Sequence, residues 1–202
     1  MSDVTTMTEQ PASFAFDAAN AEQARTIIAR YPAGRQASAV LPLLEMAQRQ
    51  AGGWLPRAAM DHVAGVLEMA PIRVYEVATF YSMFNLKPVG KFHVQLCRTT
   101  PCWLRGSDAL RKVCETKLGV GLKQVTEDGL FSVSEVECLG ACCNAPMVQI
   151  NDDFYEDLTP ESFERLLDAL KRGEDPKAGP QNGRRGSEPK ERHTLLEEKR
   201  GA

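Results

Sequence analysis

Residues 138–146 read Cys-Leu-Gly-Ala-Cys-Cys-Asn-Ala-Pro and hold three of the chain's six cysteines, with small residues and a proline that keep the backbone tight. A second pair stands upstream in Cys97-Arg-Thr-Thr-Pro-Cys102, so the pattern is Cys-x4-Cys, a long spacer, then Cys-x3-Cys. Four thiolates on two loops suit a soft metal centre. Two isolated thiols would not support that inference, whereas two spaced pairs do.

Three chemistries compete for the pairs. A disulfide framework belongs to oxidising compartments. Structural zinc uses knuckles whose cysteines stand two to four residues apart, so these spacings fall at its loose edge. In a [2Fe–2S] cluster each iron takes two thiolates, and each pair here would serve one iron. Spacing favours iron–sulfur over zinc but leaves zinc standing.

The compartment argument bears on the first choice. No basic residue precedes Arg25 and no apolar core follows the initiator, which speaks against a secretory signal or an arginine-rich transit peptide. No apolar run approaches the roughly 18–20 residues that span a bilayer. The expected location is the cytoplasm, where cysteine pairs bind metal or do redox work. A net charge of −3 gives no basic field for nucleic acid or an anionic membrane surface. His62, His93 and His193 are too scattered to form a ligand pair.

The elements that must position the cysteines follow from periodicity. Residues 1–16 are polar and Pro-containing and are expected to be disordered. Residues 17–88 read as a small helical bundle. Its stripes are Ala24, Ile27, Ile28 and Tyr31; Val40, Leu43, Leu44 and Ala47 within 36–50; Met60, Val63, Ala64 and Leu67 within 56–68; and Val74, Val77, Ala78 and Tyr81 after Pro71. Tyr75, Phe80, Tyr81 and Phe84 are expected in the bundle core. Residues 89–173 change period: Phe92, Val94 and Leu96 alternate as a strand ending at Cys97, and Phe131, Val133 and Val136 form another ending before Cys138. A helix capped by Ser107 lies between them, carrying Leu110, Val113, Cys114 and Leu118. A strand over 147–150, a short strand at Phe154-Tyr155, and a helix capped by Thr159 with Phe163, Leu166, Leu167 and Leu170 complete the pattern. Residues 174–202 read as a flexible tail. The fold class is α+β, a helical bundle followed by a small sheet covered by helices.

No nucleophile–base pair or phosphate loop is present, and Gly119-Val-Gly121 lacks the third glycine of a dinucleotide fingerprint. The chain is therefore expected to bind no NADH itself and to have no catalytic side chains.

Cys97-Arg-Thr-Thr-Pro-Cys102-Trp-Leu-Arg-Gly-Ser and Glu135-Val-Glu-Cys138-Leu-Gly-Ala-Cys142-Cys-Asn-Ala-Pro-Met closely resemble the thioredoxin-like [2Fe–2S] ferredoxin family. Within it, Gly53-Trp-Leu-Pro and Val74-Tyr-Glu-Val-Ala-Thr-Phe-Tyr-Ser-Met-Phe-Asn-Leu-Lys-Pro-Val-Gly resemble the branch serving respiratory NADH–quinone oxidoreductase (complex I). The resemblance covers roughly residues 17–172. It implies a thioredoxin-like α/β domain after the bundle, one [2Fe–2S] cluster on Cys97, Cys102, Cys138 and Cys142, and electron transfer as the work. It also implies docking on a flavin-bearing, NADH-oxidising subunit that holds FMN and NADH, alongside other hydrophilic-arm subunits at the cytoplasmic side of the bacterial inner membrane. Related subunits of NAD-linked formate dehydrogenases and soluble hydrogenases are the alternative, and a zinc-stabilised interaction module is the non-redox one. Cys143 departs from the small apolar residue common at its position and competes with Cys142 as a ligand.

Other residues near the pairs have plainer roles to weigh. Arg98, Arg105, Glu135 and Glu137 would tune a cluster's potential if close, but surface charges are usually solvated. Trp103 would shield the centre or pack in the core, Thr99 and Thr100 would donate to sulfur or shape a turn, and Cys114 reads as a small core residue.

Overall fold

The computed structural model describes residues 10–188; the expectations for residues 1–9 and 189–202 lie outside the described residues. The chain divides into two compact units between Val89 and Gly90.

The first unit is helical. Helix α1 (Ala18–Ile28) starts where the Asp17 side chain accepts the Asn20 N–H at 2.8 Å, satisfying an otherwise orphaned donor. A 3-10 turn (Gln36–Ala39) leads into α2 (Val40–Gln50), followed by α3 (Arg57–Val66) and α4 (Pro71–Phe80). Their i, i+4 stripes close one core: Leu43, Leu44 and Ala47 meet Ala59, Val63, Val74 and Ala78. Of the expected core aromatics only Phe84 is buried; Phe80 is 79% exposed and Tyr81 40%. Phe80 lies six residues beyond Val74, which at 3.6 residues per turn puts it on the far side of α4.

Residues 10–16 differ from the expected disorder. Phe14 and Phe16 pack edge-on against the His62 ring, and the Phe16 N–H donates to His62 Nε2 at 3.2 Å. Two aromatic side chains anchor this polar stretch together with hydrogen bonds, among them Gln50 Nε2 to the Ala15 carbonyl at 2.8 Å and the Arg57 N–H to Gln10 Oε1 at 3.0 Å.

The second unit is built on β1 (Phe92–Cys97), β2 (Gln124–Val125), β3 (Phe131–Val136), β4 (Val148–Ile150), β5 (Asp153–Glu156) and β6 (Gly179–Pro180), in spatial order β2-β3-β1-β4-β5-β6. Strands β1 and β3 are parallel, with Cys97 opposite Val136. The crossover between them carries α5 (Thr100–Leu104), α6 (Ser107–Val113) and a π turn (Cys114–Leu118). Strands β4 and β5 form an antiparallel hairpin beside β1. Helix α7 (Pro160–Lys171) opens with a reciprocal cap between Thr159 and Ser162.

Alternation sorts the sheet's two faces. Val94, Leu96, Phe131, Val133, Val148 and Ile150 pack with Leu110 of α6 and with Phe163, Leu166, Leu167 and Leu170 of α7. Burying each large side chain contributes about 1.5–3 kcal/mol before entropy is counted. The other face carries His93, whose Nδ1 and Nε2 lie 2.8 and 3.3 Å from the Ser132 and Ser134 hydroxyls. Ser107 is the first residue of α6 rather than its cap; Gly106, at φ 94°, holds the cap position that a side chain would resist.

Residues 174–188 are ordered where a flexible tail was expected. Gly179 and Pro180 pair in parallel with Tyr155 and Glu156, and Tyr155 Oη donates to the Pro176 carbonyl at 3.3 Å. Hydrogen bonds to β5, rather than apolar burial, hold this strap, so a hydropathy reading passes over it.

Two outcomes test this unit. A Cβ at Gly90 would stand 2.4 Å from the Phe131 carbonyl carbon, so Gly90→Ala is expected to cost about 1–3 kcal/mol in denaturant unfolding. Burial lowers the His93 pKa from its ordinary 6.5, so its contribution is complete above that value and is lost as pH falls through the lowered one. His93→Gln should flatten the acid-side fall in unfolding midpoint.

Candidate metal centre

Because β1 and β3 run parallel and in register, both chains leave the sheet at the same end. Cys97 closes β1 and Cys138 follows β3 by two residues, so their loops emerge side by side. The first loop winds immediately into α5, placing Cys102 on its buried side at 1% exposure, with Cys97 at 2%. The spacing had suggested a plain loop there; Pro101 early in α5 suits a helical first turn. Both sulfurs sit in a small apolar nest with Ala145 and Met147, flanked by Leu139, Ala141 and Phe154.

The second pair is exposed. Gly140, at φ 88°, bends the loop and its N–H donates to Cys138 Sγ at 3.4 Å. Cys142 starts a 3-10 turn (Cys142–Asn144) and its Sγ lies 3.3 Å from that of Cys138. That exceeds a disulfide's ~2.05 Å, and all six cysteines are free. Helix α5 lies against this turn, and Arg105 Nε donates to the Ala145 carbonyl at 3.4 Å, tying the two loops together.

The thiols are electrostatically graded. Burial pushes Cys102 up to about 12, helped by its neighbour Cys97. Burial also opposes ionisation of Cys97, but hydrogen bonds from the Leu139 N–H, the Thr99 side chain, Cys102 and the Thr99 N–H outweigh it and bring the thiol below its ordinary value. Cys138 is lowered by the Gly140 N–H and by Cys142, while Cys142 is raised by Cys138 and by the charge of Cys97. Within each pair the two thiols are thus shifted in opposite directions.

The donor set fits a two-iron centre. Four sulfurs stand as two pairs, with backbone N–H groups from Thr99, Leu139 and Gly140 turned toward thiolate positions.

The remaining expected residues separate. Thr99 Oγ1 is 3.6 Å from Cys97 Sγ. Trp103 is 57% exposed and Leu104 70%, so neither packs in the core. Glu135 is held by Arg98 at 2.9 Å and Arg111 at 3.5 Å. Cys114 is buried in the α6–α7 core and raised to about 12 by that burial. Cys143 is exposed. Its carbonyl accepts from Arg184 Nη2 at 2.8 Å, a residue that no motif singled out because it stands in a polar, proline- and glycine-rich segment.

Comparisons with known proteins point to one family. Residues 24–171 match the thioredoxin-like [2Fe-2S] ferredoxin family. The chain is 62% identical over 156 residues to a subunit of the NADH-quinone oxidoreductase of Rickettsia felis, covering 77% of this chain and 93% of that protein. It is 50% identical over 185 residues to mitochondrial NADH dehydrogenase [ubiquinone] flavoprotein 2 of Dictyostelium discoideum, covering 91% of this chain and 75% of that one. The fold is shared with a chain of the NAD+-reducing [NiFe]-hydrogenase, with a TM-score of 0.57 and 21% identity over 64% of this chain and 23% of that one.

The burial gradient predicts an alkylation order in cluster-free protein under native conditions. Cys138, Cys142 and Cys143 should react with iodoacetamide first, and Cys97, Cys102 and Cys114 only on unfolding, as read by peptide mass mapping.

Proposed function

Since the chain belongs to the thioredoxin-like [2Fe-2S] ferredoxin family, we propose that it is the electron-transferring [2Fe–2S] subunit of an NADH–quinone oxidoreductase. On this reading it accepts electrons from the flavin of a partner NADH-oxidising subunit, and FMN and NADH belong to that partner. The observation that carries it is that the two cysteine-bearing loops leave the same end of a parallel strand pair. The named relatives supply the complex.

Cys97 and Cys102 would hold one iron, and Cys138 and Cys142 the other. When bound, such a cluster supplies the one-electron acceptor that no side chain of this chain provides. The protein's own groups do the rest. The N–H groups of Thr99, Leu139 and Gly140 stabilise sulfur anions. Met147, Ala145 and Phe154 keep water from the inner pair. The outer pair stays open to solvent, and Trp103 and Leu104, next in sequence to Cys102, are exposed as well; exposed apolar side chains suit a docking partner that brings an electron donor close. Among the described residues no helix is long and apolar enough to cross a membrane. Attachment through other hydrophilic subunits, at the cytoplasmic face, follows from this reading.

Anaerobically purified protein should contain iron and acid-labile sulfide in near-equal amounts, with visible bands that dithionite bleaches and a rhombic or near-axial EPR signal on reduction. Cys142→Ser should abolish the native signal and Cys143→Ser should leave it. Colourless protein with stoichiometric zinc would overturn the function, and the reverse pattern at 142 and 143 would overturn the ligand register.

A further inference from the structure

The strap that returns along β5 ends in an enclosed polar network next to the centre. Arg184 Nε donates to Asp157 Oδ2 at 2.6 Å and Nη2 to Oδ1 at 2.7 Å. The same Nη2 reaches the Cys143 carbonyl at 2.8 Å and Asn144 Oδ1 at 2.6 Å. The side chains of Arg184 and Asp157 are only 13% and 9% exposed, whereas both partners of Arg73–Glu76 are more than half exposed. A surface pair of the latter kind contributes little. A desolvated pair becomes costly to break, because the remaining charge is left uncompensated.

Asn144, 2% exposed, links this pair to the cysteine turn. Its Nδ2 donates to the Glu156 carboxylate and to the Gly186 carbonyl, the latter at 3.2 Å, so the strap serves both ends of its amide. Its own carbonyl accepts from the Asp157 N–H at 2.7 Å. The residues directly after Cys142 are therefore fixed from three directions, two of them supplied by residues 184–186. The family match ends at residue 171, before the strap begins.

We propose that Arg184 is a positioning residue for the metal centre: through it, the strap of residues 174–188 locks the Cys142–Asn144 turn so that the exposed cysteine pair keeps its ligating geometry. The inference rests on the ligand assignment to Cys138 and Cys142. Lysine cannot replace the contact, since a single ammonium does not span the Asp157 carboxylate and two oxygens of the turn together. Removing the guanidinium leaves Asn144 Oδ1, the Cys143 carbonyl and the Asp157 carboxylate short of a donor. The turn must then open to water.

The test uses the full-length, cluster-loaded chain as wild type, Arg184→Ala, Arg184→Lys, and Arg172→Ala as control, because Arg172 pairs with exposed Glu174 at 2.6 Å. The readouts are iron release to a chelator, the EPR line shape of the reduced protein, and the thermal unfolding midpoint. Arg184→Ala should release iron roughly ten-fold faster or more, the scale of losing a partner that orients a ligand. Its EPR signal should broaden or shift, Arg184→Lys should follow in the same direction, and Arg172→Ala should match wild type. Unchanged release and line shape in Arg184→Ala would overturn the inference, as would a lower unfolding midpoint with both unchanged, which marks a merely structural role. If Arg184→Ala does not accumulate, Arg184→Lys decides by the same two readouts. Wild-type protein without iron and sulfide overturns the ligand assignment and this inference together; a loaded wild type indistinguishable from Arg184→Ala overturns this inference alone.

Discussion

The parallel pairing of β1 with β3 is the constraint on which the centre depends. Parallel neighbours deliver their carboxyl ends to the same edge of the sheet, so two loops far apart in sequence leave it together. Such pairing requires a crossover connection, and α5 and α6 lie within it. The first of them carries Cys102, so one short helix both completes the connection and contributes a sulfur. Gly90 serves the same pairing: its bare Cα allows the chain to pass the Phe131 backbone just before β1 begins, where its N–H donates to Ser132 Oγ at 2.9 Å.

The two cysteine pairs share an end but not an environment. The inner pair is sealed among apolar side chains and the outer pair faces solvent. Burying an anion is unfavourable unless donors compensate it, and the N–H groups of Leu139 and Thr99 supply that compensation at Cys97. The outer pair needs less help because water is near, and Gly140 meets it with one bond and a backbone conformation that a side chain would strain. Asymmetry of this kind gives a centre an insulated side and an accessible one.

The core of this architecture was legible in the sequence for a definite reason. Alternation in Phe92, Val94 and Leu96 and the stripe through Phe163, Leu166, Leu167 and Leu170 record burial directly, and both reappear in one core. Cysteine spacing marked the two loops because thiol chemistry requires those residues there. Other features left no such record. Phe80 and Tyr81 look like core residues in the sequence; the phase of α4 turns Phe80 outward, and Tyr81 falls just past the helix end in an extended conformation that takes it off the stripe. Helix α5 is too short for periodicity to declare. The strap is polar and ordered by directional bonds from Arg184 and Gly179 to distant partners, which hydropathy does not encode. Asp157 and Asn144 gain their roles only when that segment returns.

Both flanks of the sheet consist of two-residue strands, Gln124–Val125 on one side and Gly179–Pro180 on the other. So short a border offers a foreign chain almost no ladder to extend, and a proline removes one of the few amides it would need. Strand addition along these two short borders is thereby disfavoured. Partner choice then leans on side chains of the helices and loops, that is, on surface chemistry rather than on backbone pairing, which any extended polypeptide can imitate.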